Sequence, residues 1–208
     1  MPRNSRVVVV GYPHHVTQRG NNREPVFFDD EDRWTYLNLL GHYTQKYQVD
    51  IWAYCLMTNH IHLLAVPHDP AGLAGGVGLV NMTYTQYLNR KHQRTGRIWQ
   101  NRFFSSVVDS DRYVWAVARY IENNPVAAGI VVSADNYQWS SACHHLHSQP
   151  DQLLKVPSWL NDAERDSYRA FLAEDDKRMA TMIGQATRSG RSISGGDTSG
   201  GVPSYVNF

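Results

Sequence analysis

His60 and His62 stand one residue apart in the run YCLMTNHIHLLAVP, an otherwise apolar, strand-like segment. Side chains alternate across a strand, so both imidazoles project from one face while Ile61 and Leu63 turn toward a core. Two convergent neutral imidazoles form most of a divalent-metal site that leaves positions open for a substrate. Such a site wants a further protein ligand and a reacting group. The helix expected near residues 111–123 offers Tyr120 and Asn124, spaced i and i+4 and therefore neighbours on one helical surface. Asn124 can give an amide oxygen to a hard cation, and Tyr120 can present a phenolic oxygen beside it. A phenol held near a divalent cation can attack phosphorus, the cation polarising the phosphoryl oxygen and neutralising charge in the transition state. Glu122 and Asn123 are alternative third ligands if the helix ends early. His14 and His15 lie on the first expected strand, where one of them could face DNA or the metal, and they read as packing or substrate-contact residues.

The charge distribution adds a substrate class. The net charge of the 208 residues is only +1, yet no acidic residue precedes Glu24, while Arg3, Arg6, Arg19 and Arg23 do. No acid falls between Asp69 and Asp109, where Arg90, Lys91, Arg94, Arg97 and Arg102 are found. The acids collect instead at Asp29 to Asp32 and from Asp162 to Asp176. Segregation of this kind suits a phosphate-binding surface, with a solvated helix end as the alternative reading. Arg19, Asn21 and Arg23 on one loop, and the five later basic residues around the end of the second helix, are the candidate nucleic-acid contacts. Trp99 and Phe103 read either as platforms for unpaired bases or as core.

Those side chains need a scaffold, and the pattern supplies one. A strand is expected over His14 to Gln18, ended by Arg19-Gly20-Asn21-Asn22, and then a helix capped by Asp29 or Asp30 with Tyr36, Leu40, Tyr43 and Tyr47 on one face. Asp50 to Met57 reads as a strand joined through Thr58-Asn59 to the histidine strand, a link short enough to imply an antiparallel hairpin. A loop is expected over His68 to Gly78. The second helix follows, carrying Val80, Tyr84, Tyr87 and Leu88 on one face and ending at Thr95-Gly96. Phe103 to Val108 reads as a strand, and Asp109 or Ser110 as the cap of the third helix, which Pro125 stops. The order is β-α-β-β-α-β: an α+β, ferredoxin-like antiparallel sheet with helices on one face. Beyond it come a short strand (Ile130 to Val132), a turn at Trp139-Ser140-Ser141, a helix near Ala163 to Ala173 and, from Thr187, a Ser/Gly-rich flexible tail. That divides the chain into a catalytic domain over 1–147, a helical extension over 148–186 and a tail over 187–208. Arg188 and Arg191 could carry the tail to DNA, or it could fold over the site. No apolar run approaches the ~18 residues of a membrane-spanning helix. Two unpaired cysteines, Cys55 and Cys143, read as thiols of a reducing cytosol, which makes the chain cytoplasmic and, if it binds DNA, nucleoid-associated.

The segments HHVTQRGNNREPVF, AYCLMTNHIHLL, RIWQNRF and RYIENNPVAAGIV occur in the order found in single-tyrosine transposases of the HUH class, and the chain most resembles their REP-associated branch. The similarity runs from about Pro13 to His147 and more weakly to about Ala173. It implies a ferredoxin-like fold, His60 and His62 as the metal-binding pair, Asn124 at the third-ligand position and Tyr120 as nucleophile. It further implies a DNA strand-transferring endonuclease that uses Mg²⁺ or Mn²⁺ and cuts single-stranded DNA beside a hairpin. The products would be a 5′-phosphotyrosine link and a free 3′-hydroxyl. Relatives include dimers that exchange the tyrosine helix, so monomer and homodimer both stay open. Two competing readings remain: a replication or transfer nickase with the same chemistry, and a non-catalytic protein that binds DNA hairpins.

Overall fold

A computed structural model describes residues 7–109, 111–155, 160, 164–174 and 176–194. Strand β1 (His14–Arg19) leads through a left-handed turn into helix α1 (Asp30–Lys46). Asp29 caps α1 by accepting from the Asp32 amide, and the acids of the first turn complement the helix dipole. Strands β2 (Val49–Met57) and β3 (His60–Pro67) form the expected tight hairpin across Thr58-Asn59, with a register shift between Ile51 and Ala53. Helix α2 (Leu79–Lys91) and strand β4 (Phe104–Val107) complete the first six elements. The sheet is wholly antiparallel, in the order β2-β3-β1-β4, which is the ferredoxin-like arrangement.

One layer is built by α1 and α2, which pack on each other. Between them lies an aromatic cluster of Phe27, Tyr36, Tyr84 and Trp99, with ring centroids 5.2–6.1 Å apart. Each polar tip in it is satisfied: Tyr36 donates to Asn81, Tyr84 to the Val26 carbonyl, and the Trp99 indole to the Asn81 carbonyl. Trp99 and Phe103 are therefore core residues and not exposed stacking platforms. The chain then adds a second layer. Helices α3 (Asp111–Glu122), α4 (Asn124–Ala127), α5 (Ala142–His147), α6 (Arg165–Ala173) and α7 (Lys177–Ser189) follow β4. Of these, α3 packs on β2 and β3, and α7 packs on β1, β4 and α3. This explains why Leu64 and Val66 are as buried as Ile61, Leu63 and Ala65 on the opposite face of β3.

Several local expectations change. The buried stripe of α1 is Asp32, Tyr36, Leu40 and Thr44; Tyr43 and Tyr47 are only half-buried. Thr44 takes the inward position because its hydroxyl donates back to the Leu40 carbonyl. Part of the expected loop is a π-helical turn, Ala74–Gly78, seated on Tyr47; a Cβ on Gly75 would lie 2.2 Å from the Tyr47 ring. Helix α2 ends at Lys91, short of Thr95-Gly96. Pro125 does not simply stop a helix, since it opens α4, where its missing N–H costs nothing. Ile130 to Val132 is not a strand, and Val132 is almost fully exposed. Ser110 and Ala163 lie outside the described residues. The largest change concerns the tail, because Thr187 to Ser189 belong to α7. Beyond α7, Ile193 bridges to Val108, and residues 195–208 lie outside the described range.

Both margins of the sheet are occupied. Along β2, the Ile51 carbonyl accepts from Lys155, the Leu56 amide donates to Trp139, and Ser141 bonds Tyr54 through amide and hydroxyl. Beside β4, the Ile193 amide donates to Val107, and its carbonyl accepts from Asp109. Among the described residues, no helix is long and apolar enough to cross a membrane.

Candidate active site

Strand alternation does what the His-x-His spacing predicts: His60 and His62 share a face, with ring centroids 5.0 Å apart and planes at 78°. His15 of β1 joins them. Its ring lies nearly parallel to that of His62, with centroids 5.2 Å apart and planes at 12°, and its Nε2 lies 3.0 Å from His62 Nδ1. From the layer above, α3 lowers Tyr120 edge-on to both rings, 5.5 Å from each. Helix α7 closes the far side. Thr187 Oγ1 is 2.6 Å from His15 Nδ1, and Gly184 lies so close to the phenol that a Cβ there would be 3.4 Å from the Tyr120 oxygen. Of the two β1 histidines considered from the sequence, His15 is the one that meets the site; Thr187 and Gly184 were not singled out by the sequence.

The electrostatics follow from burial. The desolvated imidazoles of His14 and His60 are pushed down to about 4 and that of His15 to about 3, while His62 falls well below its ordinary value. All four are neutral at pH 7. Burial raises the Tyr120 phenol, and the guanidinium groups of Arg188 and Arg19 pull it partly back. The histidines make stability acid-sensitive. A depressed native pKa means that the unfolded chain binds more protons below about 6.5, so stability is full above that pH and declines on acidification. Each histidine contributes a slope of up to about 1.4 kcal/mol per pH unit, ending near its native value. The unfolding midpoint should therefore fall steeply between about pH 6.5 and 4, and His14→Phe should flatten the curve; thermal melts across that range test it.

The donor set suits a divalent cation in part. His60 Nδ1 donates to the Asn59 side-chain oxygen at 2.6 Å, which leaves its Nε2 lone pair available. Asn124 follows Tyr120 by four residues, at the start of α4. Its amide nitrogen donates to the Tyr120 carbonyl at 2.6 Å and to that of Ile121, and the residue lines a groove between α3–α4 and α6–α7 with Tyr120 and Asn123. The alternatives are committed elsewhere. Asn123 donates to the Leu172 carbonyl, and the fully buried Glu122 accepts from Ser141, His145 and Tyr168. Among the described residues no group of three or more His, Cys, Asp or Glu has metal-holding geometry. Two imidazoles thus fit a cation, with the remaining positions open.

The basic residues sort into two groups. The loop after β1 pairs with the segment before β4: the Asn21 amide donates to Ile98, the Gln100 amide to Arg19, and Gly20 bridges Trp99. Exposed Arg19, Asn21 and Arg23 therefore stand on a segment hydrogen-bonded to the one bounded by exposed Arg97 and Arg102, and Arg19 pairs with His60 across β1 and β3. Arg90 is exposed and Arg94 half-buried at the end of α2. Lys91 is spent: its ammonium contacts Asp29, Glu31 and the buried Asp32 at 2.8–2.9 Å, tying α2 to the start of α1.

A ferredoxin-like sheet that presents a histidine pair to a tyrosine on a covering helix defines the architectural class. The model of the transposase IS200-like family matches residues 8–124, more than half of the chain, and the chain belongs to that family. It is 28% identical over 107 residues to a Haemophilus influenzae protein carrying the name REP-associated tyrosine transposase, a match covering 47% of this chain and 61% of that relative's length. The fold also matches a solved REP-associated tyrosine transposase bound to a REP hairpin, with a TM-score of 0.61 at 16% identity, over 78% of this chain and 94% of the other.

Proposed function

We propose that the chain is a DNA strand-transferring endonuclease that binds a hairpin and cuts the single strand beside it, with Tyr120 as nucleophile. The observation that carries this reading is Tyr120 held edge-on to His62, on the sheet face that also bears His60. A family relative bound to a REP hairpin supports the choice of DNA. Exposed Arg19, Arg23, Arg97 and Arg102 would hold phosphates beside the histidines, giving salt-dependent affinity.

The chemistry follows from the positions. The Tyr120 phenol gives up its proton, its oxygen bonds to phosphorus, and the bond from phosphorus to the 3′ oxygen breaks. That oxygen leaves with a proton as a free 3′-hydroxyl. One phosphodiester replaces another, so the 3′-hydroxyl can later attack the phosphotyrosine and reseal or transfer the strand without ATP. His60 and His62 would hold Mg²⁺ or Mn²⁺, which supplies charge neutralisation at the phosphoryl oxygens. Arg19, beside Tyr120 and His60, orients the phosphate.

Incubating the protein with a hairpin-bearing single-stranded oligonucleotide and Mn²⁺ or Mg²⁺ should give a covalent protein–DNA adduct resolved on a denaturing gel. His60→Ala and His62→Ala should each remove cleavage and metal stimulation together. Metal-stimulated cleavage that persists in both variants would sink the metal assignment. Hairpin binding without adduct under every metal condition would leave a hairpin-binding protein instead.

A further inference from the structure

We propose that Thr187 of α7 sets the proton position on His62, acting through His15, so that His62 offers a bare Nε2 to a divalent cation. The inference rests on the metal reading above and assigns two positioning residues, His15 and Thr187, that lie 172 residues apart in sequence.

The argument is a count of protons along one hydrogen-bonded chain. Thr187 Oγ1 lies 2.9 Å from the Ile183 carbonyl, one helical turn back, and 2.6 Å from His15 Nδ1. A hydroxyl has one proton, and a carbonyl oxygen can only accept. If the proton pointed at His15, two buried oxygens would face each other at 2.9 Å with no hydrogen between them. The Thr187 hydroxyl therefore donates to Ile183, the usual bond of a helical threonine, and accepts from His15. His15 is fully buried, where a second proton would be an uncompensated charge, so a proton on Nδ1 leaves its Nε2 as an acceptor. That nitrogen faces His62 Nδ1 at 3.0 Å, so His62 Nδ1 must be the donor. His62 is also neutral, and its remaining nitrogen, Nε2, then carries the lone pair. His60 reaches the same state by a separate route, through Asn59. Both members of the pair thus present Nε2.

The alternative assignment closes the same chain between the three side chains but leaves the Ile183 contact without a hydrogen. A Thr187 hydroxyl turned toward His15 would put the proton of His15 on Nε2, make His62 Nδ1 an acceptor and place an N–H on His62 Nε2, where it blocks a cation. One hydroxyl rotor therefore separates a ligand from a non-ligand, and the Ile183 carbonyl decides between them. Outer partners that fix a ligating histidine typically account for 10- to 100-fold in metal affinity.

The test uses the full chain labelled with ¹⁵N-histidine. In the metal-free wild type, imidazole ¹⁵N spectra should show His62 protonated at Nδ1 and bare at Nε2, with His15 the same. Thr187→Val keeps the shape and removes the acceptor, so His15 and His62 should both move toward the opposite tautomer. Mn²⁺ affinity by calorimetry should fall by roughly 10- to 100-fold. Thr187→Ser restores the hydroxyl and should restore both signals, which a purely packing role for the residue would not do. A wild-type His62 protonated at Nε2 would overturn the proposal even if no variant folded. So would Thr187→Val with unchanged tautomers and Mn²⁺ affinity, or Thr187→Ser as weak as Thr187→Val. If the tautomers respond as expected but His62→Ala leaves Mn²⁺ binding intact, the relay stands and the metal reading fails.

Discussion

Tyr120→Phe should abolish the covalent protein–DNA adduct, lowering strand cleavage by roughly 10⁴-fold or more, while hairpin affinity stays within about twofold of wild type. The substitution removes one oxygen and leaves the ring in place. A phenylalanine keeps the edge-on contacts to His15 and His62 and the packing of α3 on the sheet. The basic residues on the two paired loops are untouched, so the salt dependence of binding should match wild type as well. Gel resolution of the adduct and a binding titration at several salt concentrations separate the two effects. An adduct formed by Tyr120→Phe would remove Tyr120 from the role of nucleophile. A large loss of affinity would mean that the phenol binds DNA and does not merely react with it.

The largest expected effect on stability comes two residues further along the same helix. Glu122 is fully buried, and its carboxylate accepts from the Ser141 hydroxyl, from His145 Nδ1 at 2.6 Å and from the Tyr168 hydroxyl at 2.8 Å. One side chain thus joins α3 to α5, to α6 and, through the Ser141 bonds to Tyr54, to β2. Glu122→Ala strands three buried donors and opens a cavity, a loss of about 3–5 kcal/mol. For a chain of this size that corresponds to a melting-temperature drop of roughly 10 °C. Glu122→Gln keeps one acceptor oxygen and should lose clearly less. Thermal unfolding followed by circular dichroism measures both, and equal melting temperatures for Glu122→Ala and wild type would remove the hub from the account of stability.

How much of this was legible in the sequence differs by interaction range. The two-residue period puts His60 and His62 on one face without any knowledge of their neighbours, and the two-residue link before them dictates a hairpin. The helix bearing Tyr120 is bounded by local signals. The partnership of His15 with His62 is not local. It depends on the register that pairs His15 with Leu64 and Thr17 with His62, and no pattern within β1 reports it. Lys91 looked like a phosphate contact because its own neighbourhood lacks acids; the carboxylates it binds lie about sixty residues earlier. Helix α7 did leave a trace: Met179, Met182, Ile183 and Ala186 fall at i, i+3, i+4 and i+7 behind a capping Asp176. The Ser/Gly composition that begins at its last turn hid that period. Asn124 does stand one turn after Tyr120, as the spacing argues, but that its amide nitrogen bonds the Tyr120 carbonyl is a matter of rotamer that spacing does not report.

The occupied margins of the sheet have a consequence for the protein's behaviour in company. A strand edge with free amides and carbonyls is a template on which another chain can grow. Here the long margin of β2 is spent on Trp139, Ser141 and Lys155, and β4 is only four residues long and is met at its end by Ile193. Copies crowded together would find little backbone to zip onto along these two edges, which is how a sheet avoids the strand-by-strand aggregation to which open edges are prone.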